Sequence, residues 1–513
     1  MSTVSGNNKR IAKNTVFLYF RMFVMVIVSL FTSRVVLDVL GAEDYGIYNI
    51  IGGVIVLFSF LNAALNAATQ RFINFNLGKN DFKQANSVFC MSLNVYAILS
   101  AVIVILAETI GLWFVNTQLN IPEERMDAAN WVYQCTILTF IINLIRIPYN
   151  ASILAYERMD FYAYTSLGEA VLKLLVVYLL YVSFYDKLIV YALLYTVVSL
   201  LMTIIYKLFC IRNFEICLYR RTWDKHIFQG LFGFTGWSLF GSLATMSAQQ
   251  GLNILINVFY GVTVNAAVGI ANQVCGTVNQ FVSNFQMAFR PQIVKDYAAG
   301  DFDRFYRLIF SSSKFSFYLM FLLTLPIMFT IDTILSIWLV DVPQYTAIFC
   351  QLILIVLIIE ATAAPLWMSV EAKGNIRNYQ ILMSCVILLN FPLSYMALNL
   401  GFPVYTVWCI KIFVTLLVFA TRCWYINKKL GFPLKDYCKE VLLSIFMVSI
   451  IGLPIPLVIK MSIDGLWVNF ISVIVTSVLV AIIDIYMIGL NSSERRIVKD
   501  ILQKKVPFLS KKQ

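Results

Sequence analysis

Apolar residues fall into long runs along almost the whole chain, separated by short polar connections. A run of about 20 apolar residues makes a helix about 30 Å long, the thickness of a bilayer's hydrocarbon core. Such runs lie at 15–38, 46–69, 87–113, 131–155, 163–184, 188–209, 229–258, 262–288, 308–331, 346–369, 379–399, 404–424, 440–459 and 467–489. Each predicts a transmembrane helix, so the expected fold class is all-α integral membrane with about fourteen spans. The polar segment ahead of the first run carries Lys9, Arg10 and Lys13. That run is too long for the core of a cleaved signal, so it is expected to stay in place as span 1.

Composition agrees. Sixty per cent of the 513 residues are hydrophobic and 13% are charged. A soluble domain carries about 25% charged residues. The ten cysteines include no CxxC pair, and most sit within apolar runs, where they read as small packing residues. The single histidine, His226, lies in a basic connection. No metal site or cofactor is expected from this inventory.

Charge orients the spans. The connections alternate between basic ones, with Arg71, Lys79 and Lys83 or with Arg212, Arg220, Arg221 and Lys225, and acidic ones, with Asp38, Glu43 and Asp44 or with Glu123, Glu124 and Asp127. Most of the 39 Lys and Arg border one alternate set, while Arg125, Lys187 and Lys460 fall in the other. Basic connections stay in the cytoplasm, so both termini are expected inside. The net charge of +12 then reflects topology and contact with anionic membrane lipids. Nucleic-acid binding is excluded, because the charges are not gathered on one soluble face. The connections expected outside are short, leaving no external domain to do chemistry.

The chain echoes itself at an offset of about 220. Gly41 opens a span that ends at Arg71, followed by Gly78-Lys79-Asn80-Asp81-Phe82; Gly261 opens one that ends at Arg290, followed by Ala298-Ala299-Gly300-Asp301-Phe302. Pro148, Arg158, Asp160 and Tyr164 are echoed by Pro365, Lys373, Asn375 and Tyr379. Six spans per copy is an even number, so the copies share orientation, as in many secondary transporters. The expected organisation is an N-lobe over 1–215, a C-lobe over 216–430, and a hairpin with a basic tail over 431–513. Two facing six-helix bundles leave a cleft, and rocking about it is alternating access.

A charge at the bilayer centre costs about 3 kcal/mol on insertion scales, so charges inside spans need a reason. Bases inside spans are Arg21, Arg34, Arg146, Lys173 and Lys411; acids are Glu108, Glu169, Glu360 and Asp484. Glu169 and Lys173 stand four apart and can pair on one helix. The bases are candidates for binding an anion, and arginine's fork suits phosphate. Glu108, Glu169 and Glu360 are candidates either for coupling to a proton or sodium ion or for pairing with these bases. Carboxamides recur every four residues in span 2 (Asn62, Asn66, Gln70) and span 7 (Gln249, Asn253, Asn257). Such stripes either hydrogen-bond between helices or line a wall that meets sugar hydroxyls.

The stretch Asn14-Thr15-Val16-Phe17-Leu18-Tyr19-Phe20-Arg21, then Thr32-Ser33-Arg34-Val35-Val36-Leu37, Leu40-Gly41-Ala42-Glu43-Asp44-Tyr45-Gly46-Ile47-Tyr48-Asn49 and Ala68-Thr69-Gln70-Arg71-Phe72 resembles bacterial polysaccharide flippases of the multidrug/oligosaccharidyl-lipid/polysaccharide exporter superfamily. The resemblance is clear over 10–85 and collinear over most of the rest. It implies two six-helix lobes in parallel repeat forming a V-shaped cavity, plus a C-terminal two-helix hairpin. It implies a transporter, not an enzyme, that moves undecaprenyl-pyrophosphate-linked oligosaccharide from the cytoplasmic to the periplasmic leaflet. The basic position it places against the pyrophosphate corresponds best to Arg21, then Arg34. Two other readings stand beside it: a drug/cation antiporter of the same superfamily, which would favour an acidic cavity, and a membrane glycan polymerase, which would need a large outer loop.

Overall fold

The computed structural model describes residues 14–25, isolated positions between 28 and 51, and 59–117, 121–339, 342–492 and 494–496. Arg34 and Gly41 lie outside the described residues. The described residues are helical throughout, with no strand. In chain order the helices are α1 (Asn14–Met25), α2 (Ser59–Gly78), α3 (Phe82–Thr117), α4 (Glu123–Ala155), α5 (Met159–Leu179), α6 (Lys187–Asn213), α7 (Lys225–Ala299), α8 (Phe302–Trp338), α9 (Thr346–Lys373), α10 (Arg377–Asn399), α11 (Thr406–Leu430), α12 (Leu434–Ser462) and α13 (Leu466–Gly489).

Ten of these are long and apolar enough to cross a membrane: α3 to α6 and α8 to α13. The chain is a multi-pass membrane protein. α7 covers both runs predicted at 229–258 and 262–288; its helical course breaks at Gly261, with φ 77° and ψ −174°. That left-handed conformation is open to glycine at little cost, so one residue separates the two arms.

Polar residues punctuate the helices. The Asp224 carboxylate accepts from the His226 and Ile227 amides at 2.7 and 3.2 Å and starts α7. Asp186 does the same for α6 through Leu188 and Ile189. Each satisfies amides that a helix start leaves without partners.

The chain divides into two compact units. The first comprises Met1–Ser242, Met287–Phe302 and Glu371–Gln380. Its core is built on α4, whose most apolar stretch is 67% buried. Phe89, Tyr149, Val177 and Tyr206 are buried together there. Arg125 pairs with both Asp44 and Asp186, the latter at 2.5 Å. These residues come from three different connections expected on the outer side, so the three connections meet on one face.

The second unit comprises Leu243–Gln286, Asp303–Val370 and Ile381–Gln513. One core gathers Leu252, Ile256, Cys275, Phe349 and Trp408. A second ties α8 to the α12–α13 hairpin through Phe317, Phe321, Val448 and Ala481. Tyr318 donates to the Gly489 carbonyl at 2.7 Å. The most apolar stretches of α12 and α13 are only 17% and 22% buried. Phe446, Ile450, Val458, Met461, Ile471 and Leu479 stand exposed, the dress of a lipid-facing hairpin.

Candidate functional site

Four helices of the first unit bring polar side chains to one place. On α5, Tyr162, Ser166, Glu169 and Lys173 recur at spacings of four, three and four, so they share one face. α4 presents Arg146 and Asn150, α1 presents Arg21 and α6 presents Tyr206. Together they line a cavity of about 270 Å³.

The charges there are ordered around one carboxylate. Arg146 Nη1 donates to Glu169 Oε2 at 3.0 Å, and Lys173 Nζ donates to Glu169 Oε1 at 2.8 Å. The Glu169 side chain is 16% exposed. Arg21 has a different setting: its Nε donates to Ser166 Oγ at 2.8 Å, and its guanidinium lies 4.6 Å from the Tyr162 ring centre. Tyr206 sits under Arg146 at 5.5 Å, and Tyr195 under Lys173 at 4.5 Å. Three bases therefore face one acid. The pairing spreads Glu169 over two cations, and Arg21 meets a hydroxyl and a ring.

A second cavity of about 370 Å³ shares Arg146 and Asn150 with the first and adds Asn62, Asn66, Asn143 and Ile147. The Oδ1 atoms of Asn62, Asn66, Asn143 and Asn150 have no hydrogen-bond partner among the described residues. Buried polar atoms are normally paired, and orphans clustered on a polar cavity mark a place for water or a polar ligand. The site is thus a cationic chamber opening beside a carboxamide chamber, with Arg146 and Asn150 on both walls.

The structure brings Arg21, Arg146, Lys173, Glu169, Asn62 and Asn66 together. Gln70, further along α2, is buried and lines neither cavity; its Nε2 has no partner among the described residues. Glu108 lies elsewhere on α3 and accepts from Gln134 Nε2 at 3.1 Å. In the second unit, Gln249 is exposed, and Asn253 donates to Gln250 at 3.0 Å. Lys411 Nζ rests 4.9 Å from the Trp408 ring centre. Glu360 makes no ion pair within 4 Å among the described residues, but the charges of Lys411 and Arg422 act on it. Asn143, Asn150, Tyr162, Ser166 and Tyr206 were not among the residues singled out from the sequence. The signal was there for two of them: Asn143, Arg146 and Asn150 stand three and four apart on one helical face.

No family model matches the chain. No curated protein matches it in sequence. Solved structures do match in fold. An outward-facing multidrug resistance MATE family transporter of the MOP superfamily is 14% identical over 83% of this chain and 96% of its own, with a TM-score of 0.72. A MATE transporter in its straight conformation is 14% identical over 84% of this chain and 97% of its own, at 0.71. A MOP superfamily transporter from Pyrococcus furiosus, described by the reverse polarity of its binding pocket, is 12% identical over 83% of this chain and 97% of its own, at 0.69. The chain has the fold of MATE transporters, and at these identities the likeness is one of fold.

Proposed function

We propose that the protein is a flippase that carries an undecaprenyl-pyrophosphate-linked oligosaccharide from the cytoplasmic to the periplasmic leaflet by alternating access. The observation that carries this reading is the cationic chamber: Arg21, Arg146 and Lys173 around the single carboxylate of Glu169. Holding three bases within membrane spans is costly unless an anion repays it. Arg21 and Arg146 suit a pyrophosphate, because a guanidinium donates two parallel hydrogen bonds to phosphate oxygens. The adjoining carboxamide chamber, with four orphan asparagine oxygens, suits the hydroxyls of the first sugars. The polyprenyl tail stays in lipid. Arg34 remains a proposed second contact.

Ion coupling follows from the same contrast. Glu169 is held by two bases. Glu360 has no ion pair among the described residues and is the better candidate to exchange a proton or sodium ion. Glu108, bound to a neutral glutamine, comes second.

A drug/cation antiporter is the second reading, favoured by the fold it shares with a multidrug resistance transporter. The excess of bases in the chamber opposes it, and the Pyrococcus furiosus transporter, whose reversed pocket polarity suggests a different function, is a parallel on this fold. The two readings part in one experiment. Inorganic pyrophosphate should raise the melting temperature of the purified protein, since a ligand of the native state stabilises it by mass action. Arg21→Ala should abolish that rise, and ethidium should give none. Stabilisation by ethidium but not by pyrophosphate would support the antiporter instead.

A further inference from the structure

The connection between α6 and α7 is laid along the first turns of α3. Asn86, Cys90 and Asn94 stand four apart there and share one face of the helix. Asn86 Nδ2 donates to the Ile216 and Leu218 carbonyls at 2.8 and 2.7 Å. The Arg220 amide donates to Cys90 Sγ at 3.2 Å, and Asn94 Nδ2 donates to the Thr222 carbonyl at 3.1 Å. Thr222 Oγ1 donates to the Arg220 carbonyl at 2.8 Å. Phe214, Ile216 and Cys217 are buried and anchor the start of the connection in the core of the first unit. Asp224 ends it by capping α7. Backbone groups outside a helix or strand need partners of this kind, and the side chains of α3 supply them. The connection is therefore a fixed ridge.

The ridge turns two kinds of side chain outward. Arg220, Arg221 and Lys225 are exposed, and none of them forms an ion pair among the described residues. Asp224, beside Lys225 in sequence, commits its carboxylate to the His226 and Ile227 amides. Around the bases stand rings that are exposed too: Tyr219 at 58%, Trp223 at 62% and Phe232 at 66%. These rings are held. Tyr219 Oη donates to Asn94 Oδ1 at 3.0 Å. Trp223 stacks on Phe228 with ring centres 5.7 Å apart, and Phe228 on Phe232 at 5.8 Å. The stack runs from the connection onto α7.

Depth in the bilayer gives this pairing of bases and rings its meaning. α3 extends over 36 residues. That is about 54 Å of helix against a hydrocarbon core of about 30 Å, so both its ends reach the level of the lipid headgroups. The connection lies along the first of those ends. Trp and Tyr favour that level, where the ring meets lipid and the polar tip meets water. Bases there attract anionic headgroups, and a guanidinium gives phosphate two parallel hydrogen bonds. A soluble acidic partner would meet the bases and leave the rings in water. An anionic phospholipid meets both.

We propose that the connection between α6 and α7 is a binding site for an anionic phospholipid of the adjoining leaflet. Arg220 and Arg221 take the headgroup phosphate, and Tyr219, Trp223 and Phe232 lie against its glycerol and the first part of its chains. The bound lipid is a resident of the site and not the cargo. The inference stands whether or not the cationic chamber binds pyrophosphate.

Lipid binding to the purified full-length chain in detergent, read by native mass spectrometry, tests it. Phosphatidylglycerol should bind about tenfold more tightly than phosphatidylcholine. Arg220→Gln combined with Arg221→Gln should remove that preference and leave phosphatidylcholine binding as it was. Both side chains are exposed, so the melting temperature of this double variant should match that of the unaltered protein. Lys428→Gln combined with Lys429→Gln takes the same charge from the end of α11 and should shift the preference less than about twofold. Arg21→Ala should keep it, so this site and the cationic chamber are tested separately. Equal losses from the two double variants would mean that the lipid reads net charge alone, and would overturn the proposal. Three other results would overturn it as well: no preference for phosphatidylglycerol, its displacement by inorganic phosphate, or loss of the preference in Arg21→Ala, which would put the lipid in the chamber.

Discussion

The two units contain the same kinds of charged residue and use them differently. In the first, Arg146 and Lys173 converge on Glu169 from two helices, and Arg21 joins them over a tyrosine ring. In the second, Lys411 leans on Trp408, and Glu360, with no ion pair within 4 Å among the described residues, lies in the field of Lys411 and Arg422. A carboxylate that accepts from two bases is held in place by both; Glu360 has no such direct bond among the described residues. Under the proposed function, cargo binding falls to the first unit and ion exchange to the second.

Four substitutions or conditions probe that division, in order of size. Removing the shared carboxylate should cost most, because it strands two bases in a half-buried site. Glu169→Gln is expected to destabilise the protein by about 3 kcal/mol in denaturant unfolding. A loss below about 1 kcal/mol would mean that Arg146 and Lys173 are solvated and the chamber is not organised around Glu169. Arg21→Ala gives up one neutral hydrogen bond and a ring contact, about 1 kcal/mol, and should keep the fold while losing the response to pyrophosphate. Glu360→Gln should shift stability by no more than about 0.5 kcal/mol and should remove the dependence of transport on the ion gradient. Gradient dependence that survives Glu360→Gln and is lost in Glu108→Gln would move coupling to the first unit.

The smallest effect concerns the outer face. Burial works against the charged form of Asp186, but the Arg125 guanidinium and the Ile189 and Leu188 amides overcome it and hold the carboxyl below the usual range. A depressed carboxylate stabilises the fold above its unfolded pKa, about 3.9, and loses that contribution as pH falls through the lower folded value. The melting temperature should therefore drop more steeply below about pH 4 in the unaltered protein than in Asp186→Asn. Parallel curves would show that the pair with Arg125 adds no stability.

Hydropathy made the spans legible, because length and polarity alone decide whether a segment crosses lipid. The pair of Glu169 with Lys173 was also legible, since both lie on one helix four residues apart. The partnership of Arg146 with Glu169 was not, because it depends on how α4 packs against α5. The stripes of Asn62 with Asn66 and of Gln249 with Asn253 look alike in sequence. The first lines a cavity beside Asn143 and Asn150; in the second, Asn253 donates to its own neighbour Gln250.

Whether the chamber around Arg21, Arg146 and Lys173 carries an anionic lipid-linked glycan is read from the leaflet distribution of lipid-linked oligosaccharide in cells from which the gene has been deleted. It should accumulate on the cytoplasmic leaflet, relieved by the unaltered protein and not by an Arg146→Glu variant present in the membrane at normal level. Clearance by Arg146→Glu equal to that of the unaltered protein would contradict it.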